Sequence, residues 1–262
     1  MTDEPAIRPS IAADLRRLGL GAGDAVLVHS SLRSLGWVCG GAVTVVQALL
    51  DTVGPDGTVV VPTQTMGNSD PRHWTNPPVP ESWWPVIREH MPAFDPAITP
   101  SGGVGVIPEV VRTWPGAVRS AHPHTSFAAL GSAAGTLMAG HRLDCQLGEE
   151  SPLAALERVD GKVLLLGVGY DRCTAFHLAE YRVRHPALFE FSAAVHTPSG
   201  RSWVTYIDVA TSSDDFADLG AAFDPTSAVR RGRVGAADCR LFSVREAVAF
   251  ATTWLPHHRG TA

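Results

Sequence analysis

His177 and Glu180 stand three residues apart in the stretch Asp171-Arg172-Cys173-Thr174-Ala175-Phe176-His177-Leu178-Ala179-Glu180-Tyr181. On a helix, that spacing places both on one face together with Cys173, Thr174 and Tyr181. A neutral histidine can take the proton of an amine as it adds to an acyl group, and a neighbouring carboxylate fixes its tautomer and stabilises the cation that forms. The same i,i+3 pair is also a routine surface feature, so spacing leaves both readings open. Cys173, four residues before His177, adds a cysteine–histidine nucleophile to be weighed. No oxyanion-hole motif or cysteine-protease signature accompanies it, which favours a packed thiol.

The elements that must hold this pair are legible around it. Val163-Leu164-Leu165-Leu166-Gly167 is an apolar run ending in glycine, the pattern of a buried strand, and helix formers follow the polar turn at 170–174. Upstream, residues 9–20 carry Ile11, Leu15 and Leu18 at helical spacing, with Gly19 and Gly21 to stop the helix. Residues 24–29 form a short buried strand, 42–53 a helix, 54–57 a turn and 58–62 a second strand. Strand, glycine-bearing loop, helix and strand make a βαβ unit, so a parallel or mixed sheet is expected, with ligands at the strand ends.

Residues 63–103 are rich in proline and carry Trp74, Trp83 and Trp84, which predicts a lid or binding loop, or a tryptophan-anchored irregular segment. A helix ends near Thr113, and 127–131 is a strand. Ser132 should cap a small helix through Met138, and Ser151 another with Pro152 at its first position. Residues 189–195 and 201–209 alternate as a hairpin about Pro198-Ser199, and helices near 213–223 and 243–254 follow. Asp214 and Asp215 should cap and charge the first of these.

Composition narrows the partners. The chain has 262 residues, 45% hydrophobic and 18% charged, with a net charge of −5. These values fit a folded protein with a sizeable core and argue against nucleic acid or an anionic membrane held by bulk charge. Cys39, Cys145, Cys173 and Cys239 are scattered without a CxxC pair, so neither a zinc site nor a disulfide framework is indicated. The acidic start Met1-Thr2-Asp3-Glu4 lacks the regions of a signal peptide, and no run approaches the ~20 apolar residues of a membrane span. A cytoplasmic location is expected, with no metal.

Two further clusters can bind ligands. His29-Ser30-Ser31-Leu32-Arg33-Ser34 follows a strand and offers hydroxyls, N–H groups and a guanidinium to a phosphate or pantetheine amide, or else is an ordinary capped turn. Arg119, Ser120, His122, His124 and Ser126 concentrate polar groups, but Pro123 works against both histidines meeting one ion. Their roles are anion or substrate contact, or structural hydrogen bonding. Asp70, Glu149, Glu150 and Asp208 are the carboxylates considered for a cationic ligand. Asp208 lies within a strand, where it needs a partner or solvent.

Four blocks, 26–36, 54–63, Arg119-Ser120-Ala121-His122-Pro123, and 163–180 with its Thr174-xx-His177-x-Ala179-Glu180 core, occur together in order. In this combination the chain resembles the aminoglycoside 3-N-acetyltransferase family of antibiotic N-acetyltransferases, from about residue 8 to at least residue 210. The resemblance implies a single domain over 1–262. It would be a three-layer α/β/α fold around a central mixed, largely parallel sheet, with the 63–103 loop on the acceptor side. It implies transfer of acetyl from acetyl-CoA to the 3-amino group of a 2-deoxystreptamine aminoglycoside, conferring resistance. Another amine metabolite is the alternative acceptor. His177 matches the family's catalytic histidine and Glu180 its companion carboxylate. His29, Ser30, Ser31, Leu32, Arg33 and Ser34 match the family's CoA-binding loop, with Thr174 taken to the same side. Asp208 falls near a family acidic residue that holds the acceptor, and Asp70 and Glu149 join it as acceptor contacts on their charge alone. A monomer or homodimer is expected. The family usually carries Asn where Cys173 stands, a departure that bears on acceptor preference.

Overall fold

The computed structural model describes residues 4–259; Met1 to Asp3, the first residues of the acidic start, lie outside them. In chain order the elements are α1 (Arg8–Leu18), β1 (Ala25–Ser30), α2 (Gly41–Val53), β2 (Thr58–Pro62), α3 (Trp84–His90), α4 (Val106–Arg112), β3 (Val118–Arg119), β4 (Phe127–Gly131) and α5 (Ala134–Met138). Then come α6 (Pro152–Arg158), β5 (Lys162–Leu166), α7 (His177–Glu180), β6 (Leu188–Thr197), β7 (Gly200–Val209), α8 (Phe216–Phe223), β8 (Arg230–Val234), β9 (Ala237–Ser243) and α9 (Val244–Arg259).

Seven strands form one sheet in the order β3-β4-β2-β1-β5-β9-β8, and β6 and β7 pair as a separate hairpin. At the centre β1 lies between β2 and β5, parallel to both. The sheet is mixed as expected. Five of its strands run in one direction, while β4 and β9 run the other way, so their pairings are antiparallel.

Side-chain alternation on the central strands explains the layering. Val26 and Val28, Val59 and Val61, and Leu164 and Leu166 pack with Ile11, Leu15, Val45 and Leu49 of α1 and α2. Leu27, Val60, Val163 and Leu165 turn to the opposite face and pack with Leu153, Phe216, Phe223, Val248 and Leu255 of α6, α8 and α9. Strands covered on both faces must be apolar throughout, which is why β2 and β5 read as unbroken runs. Helices on both faces give the α/β/α sandwich.

Several local expectations shift. Ser151 caps α6 by accepting from Leu153 N–H, but Ser132 does not cap α5; its hydroxyl reaches the Asp56 carbonyl at 2.7 Å. Asp215 stands at the N-cap of α8 without a side-chain cap bond, because its carboxylate holds Arg259. The tryptophan pair is not a core anchor: Trp83 is 57% exposed and Trp84 half-buried under Arg88. The β8–β9 hairpin is not foreseen by alternation, since Arg230, Arg231 and Arg233 leave β8 with little apolar pattern to read.

Candidate active site

The cleft opens where the three parallel strands end. Ser30 closes β1, Pro62 closes β2, and Leu166 closes β5, so the segments after them converge at one edge of the sheet. A space of about 530 Å³ is lined there by His29 to Arg33, Pro62 and Gln64, Gly103 to Pro108, Asp171 to Thr174, His177, and Ser213 with Phe216. Both ends of the proline-rich region reach this wall; its middle does not.

Gly167 allows the turn out of β5. Its φ is +70°, and a Cβ there would lie 2.5 Å from Cβ of Ser34 in the loop after β1. A 3₁₀ turn, Thr174–Phe176, then passes directly into α7, so the helix is shorter than the sequence pattern suggests. Ala175, Phe176, Leu178 and Ala179 are buried without measurable exposure, and this packing leaves Thr174 and His177 on the cleft wall. Tyr181, expected on the same face, instead donates to Asp208.

His177 Nδ1 lies 2.5 Å from Glu180 Oε2. An ionised carboxylate can only accept, so Nδ1 carries the proton and the neutral ring has Nε2 as its free acceptor. Among the described residues Nε2 has no protein partner, and the ring, packed 4.7 Å from Phe216, lines the cleft. The Glu180 side chain is 3% exposed; its Oε1 accepts from Ser212 N–H at 3.0 Å and from Arg259. A buried carboxylate with both oxygens bonded is a fixed orienting group.

His29 shares the face of Leu27 and meets Thr174, Nε2 to Oγ1 at 3.1 Å. Burial, with the nearby His177, pushes its pKa down to about 3, so it is neutral at physiological pH. The residue is a neutral partner for Thr174 rather than a cation for a phosphate. Ser31 caps the short turn Leu32–Leu35 and receives the Ser34 hydroxyl at 2.9 Å. Ser30 Oγ is buried in the cleft lining and, among the described residues, has no hydrogen-bond partner.

Cys173 has no measurable exposure, and burial pushes its thiol up to about 12. Nucleophilic cysteines need an accessible, lowered-pKa thiol, so Cys173 is a packed side chain.

The three acidic acceptor contacts do not join this site. Asp70 is buried and held by Arg88 at 2.8 and 3.1 Å. Burial raises its pKa, but the Arg88 bond, the Arg72 N–H and both guanidinium charges outweigh that and keep it ionised. Glu149 is paired with Arg182 at 2.7 Å, which lowers its pKa. Asp208, 4% exposed, accepts from Gln146 N–H at 2.7 Å and from the Tyr181 hydroxyl at 2.8 Å. All three carboxylates are occupied by protein donors, and none lines the cleft. The acid on its wall is Asp171.

The histidines near the Arg119 block are structural. His122 Nε2 donates to the Leu143 carbonyl while Nδ1 accepts N–H groups of His124 and Thr125, each at 3.1 Å. His124 Nε2 donates to the Asn68 carbonyl at 2.7 Å, and Nδ1 accepts from Tyr206 at 2.8 Å. Arg119, missed as a strut, bonds Thr63, Ser126 and the carbonyls of Pro96 and Thr99, fastening the proline-rich segment to the sheet. Among the described residues its guanidinium bonds hydroxyls and carbonyls rather than a carboxylate, so sequence charge pairing gave no signal for it.

Comparison with known proteins adds an independent line. A profile of the aminoglycoside 3-N-acetyltransferase family matches residues 27–256. The chain is 46% identical to the SPbeta prophage-derived aminoglycoside N(3')-acetyltransferase-like protein YokD of Bacillus subtilis (strain 168), covering 97% of this chain and 93% of that one. It is 36% identical to aminoglycoside N(3)-acetyltransferase VII of Streptomyces paromomycinus, over 99% of this chain and 94% of that one. The crystal structure of YokD superposes with a TM-score of 0.97 at 44% identity, covering 100% of this chain and 97% of that one. A binary complex of AAC-IIIb with CoASH superposes at 0.87 and 36% identity, over 99% of both chains.

Proposed function

Because the chain belongs to the aminoglycoside 3-N-acetyltransferase family, we propose that its cleft carries out acetyl transfer with His177 as the base. The protein is an acetyl-CoA-dependent N-acetyltransferase that modifies the 3-amino group of aminoglycosides and so confers resistance. The observation that carries the site assignment is the 2.5 Å contact of His177 Nδ1 with a buried Glu180, which leaves Nε2 to the cleft.

The cleft suits a CoA thioester. Among the described residues Ser30 Oγ is a buried polar atom that lacks a partner, and Gly105, whose added Cβ would stand 4.0 Å from the Ser30 carbonyl oxygen, keeps the cleft beside it open. Ser30, Ser31 and Arg33 are the groups that would hold the cofactor, with Leu32 and Ser34 shaping the turn. Acetyl-CoA supplies the activated acyl group. Thr174, oriented by His29, offers a hydroxyl where negative charge develops on the acyl oxygen. His177 removes the proton of the attacking amine as its nitrogen bonds the acyl carbon, and Glu180 stabilises the imidazolium. The carbon–sulfur bond breaks so that CoA leaves as the free thiol, taking up the proton that His177 held. Fixing both reactants in one cleft converts the encounter into an oriented reaction.

One chain supplies all these groups, so a monomer or homodimer can work, as a single domain in the cytoplasm. Among the described residues no helix is long and apolar enough to cross a membrane, and no group of three or more His, Cys, Asp or Glu is placed to hold a metal ion. The test is free-thiol release from acetyl-CoA with gentamicin-like, neomycin-like and apramycin-like acceptors. Acceptor-dependent release that collapses in His177→Ala is the expected result. Release independent of any aminoglycoside would overturn the assignment of acceptor.

A further inference from the structure

Glu180 has a partner outside the proton-transfer scheme. Arg259, in the last turn of α9, donates to Glu180 Oε1, while its other N–H groups bind Asp215 at 2.7 and 2.6 Å and the Ser212 carbonyl at 2.8 Å. One guanidinium therefore ties together α7, the connection into α8 and the end of α9. Ser213 and Phe216, on either side of Asp215, line the cleft, and the guanidinium carbon lies 6.0 Å from the Phe216 ring centre. Asp215 and Glu180 hold Arg259 above its ordinary pKa, and Arg259 in turn lowers that of Asp215. The cation is permanent.

The physical consequence concerns charge sharing. A buried carboxylate whose sole cationic partner is the imidazolium would hold that cation tightly and slow proton release. A second cation on the opposite oxygen divides the attraction and fixes the carboxylate plane. We propose that Arg259 is a positioning residue for acetyl transfer, acting through Glu180 to orient His177 and to limit how firmly the imidazolium is held. This inference rests on the reading of His177 as the base. Among the described residues the other charged and titratable groups around the dyad are His29 from β1, Arg33 from the loop after it, Asp171 and Arg172 from the turn before α7, Arg184 and His185 from the segment after α7, Asp215 before α8, and His258 of α9 beside Asp215.

The experiment compares full-length R259Q and D215N with the parent enzyme by thiol release across neutral pH, with thermal melts to establish folding. R259Q should lower kcat about 10-fold, as for the loss of one charge-assisted bond, with KM for acetyl-CoA unchanged. The acid limb of its kcat/KM profile should move to higher pH by about half a unit or more, since the imidazolium then faces an unshared carboxylate. D215N leaves the guanidinium to Glu180 and removes a negative charge, so its limb should move to lower pH. An unmoved limb in either folded variant, or movement in the same direction in both, overturns the proposal. H177A separates the two readings. Turnover surviving in H177A removes the base assignment itself, whereas an inactive H177A with an unmoved R259Q limb removes this inference alone.

Discussion

His177 and the group of His122, His124 and His141 lie at the same edge of one sheet, and each is largely buried, yet their ring nitrogens are used differently. In the group, both nitrogens of each ring are bonded within the protein: His141, for example, joins Ser120 at 3.0 Å and the Gln146 carbonyl at 2.7 Å. In the cleft, His177 uses one nitrogen on Glu180 and keeps the other. A histidine with both nitrogens committed holds loops together, while one with a fixed tautomer and a free acceptor can move a proton. Residue type does not distinguish these roles; unfilled hydrogen-bonding capacity does.

The largest expected effect falls on the cleft side of this comparison. His177→Ala should reduce turnover by about 10²–10⁴-fold, the usual worth of a general base, while CoA binding measured by calorimetry survives. Near-normal turnover in that variant would dissolve the distinction. On the other side, His122→Ala should leave kcat/KM of the folded enzyme unchanged but cost about 2–4 kcal/mol of stability, because the Leu143 carbonyl and two N–H groups lose their partner. Urea titration with activity assays on the same samples separates the two outcomes.

A pH experiment sharpens the contrast further. Burial lowers the pKa of His141 to about 4, against 6.5 for an ordinary histidine. Between those values the unfolded chain takes up a proton that the folded one refuses. Stability is therefore full above the unfolded value and is lost as pH falls from it toward about 4, at about 1.4 kcal/mol per pH unit for this one group. His141→Gln should flatten that slope in urea unfolding. An unchanged slope would mean that the ring is not held neutral. The smallest effect is expected from Cys173→Ala, which should cost about 1 kcal/mol through a small cavity and leave acetyl transfer intact. Lost transfer in a folded Cys173→Ala protein would return the thiol to the mechanism.

Much of this molecule could be read from residue order. The buried runs of β1, β2 and β5, the helices α1 and α2, and the β6–β7 hairpin follow from apolar spacing and turn residues, because each pattern reflects a local period. The His177–Glu180 pair is likewise local, one helical turn apart. Carboxylate roles were not legible. Asp70 meets Arg88 across 18 residues, and Asp208 meets Gln146 across 62. Both resemble free acidic groups until the folded chain supplies their donors.

What the sequence determined by itself was a parallel or mixed sheet, the strand-end position of the cleft, and the face that carries His177, Glu180 and Thr174. These follow from short-range periodicity, and the motif combination carried the family resemblance that implied the three layers. Tertiary structure decided which polar groups stay free. It filled Asp70, Glu149 and Asp208, buried the Cys173 thiol, left Nε2 of His177 to the cleft, and brought Arg259 to Glu180 across 79 residues. Hydrogen-bonding capacity is consumed by neighbours in space, so the remainder available for chemistry is set only once the chain has folded.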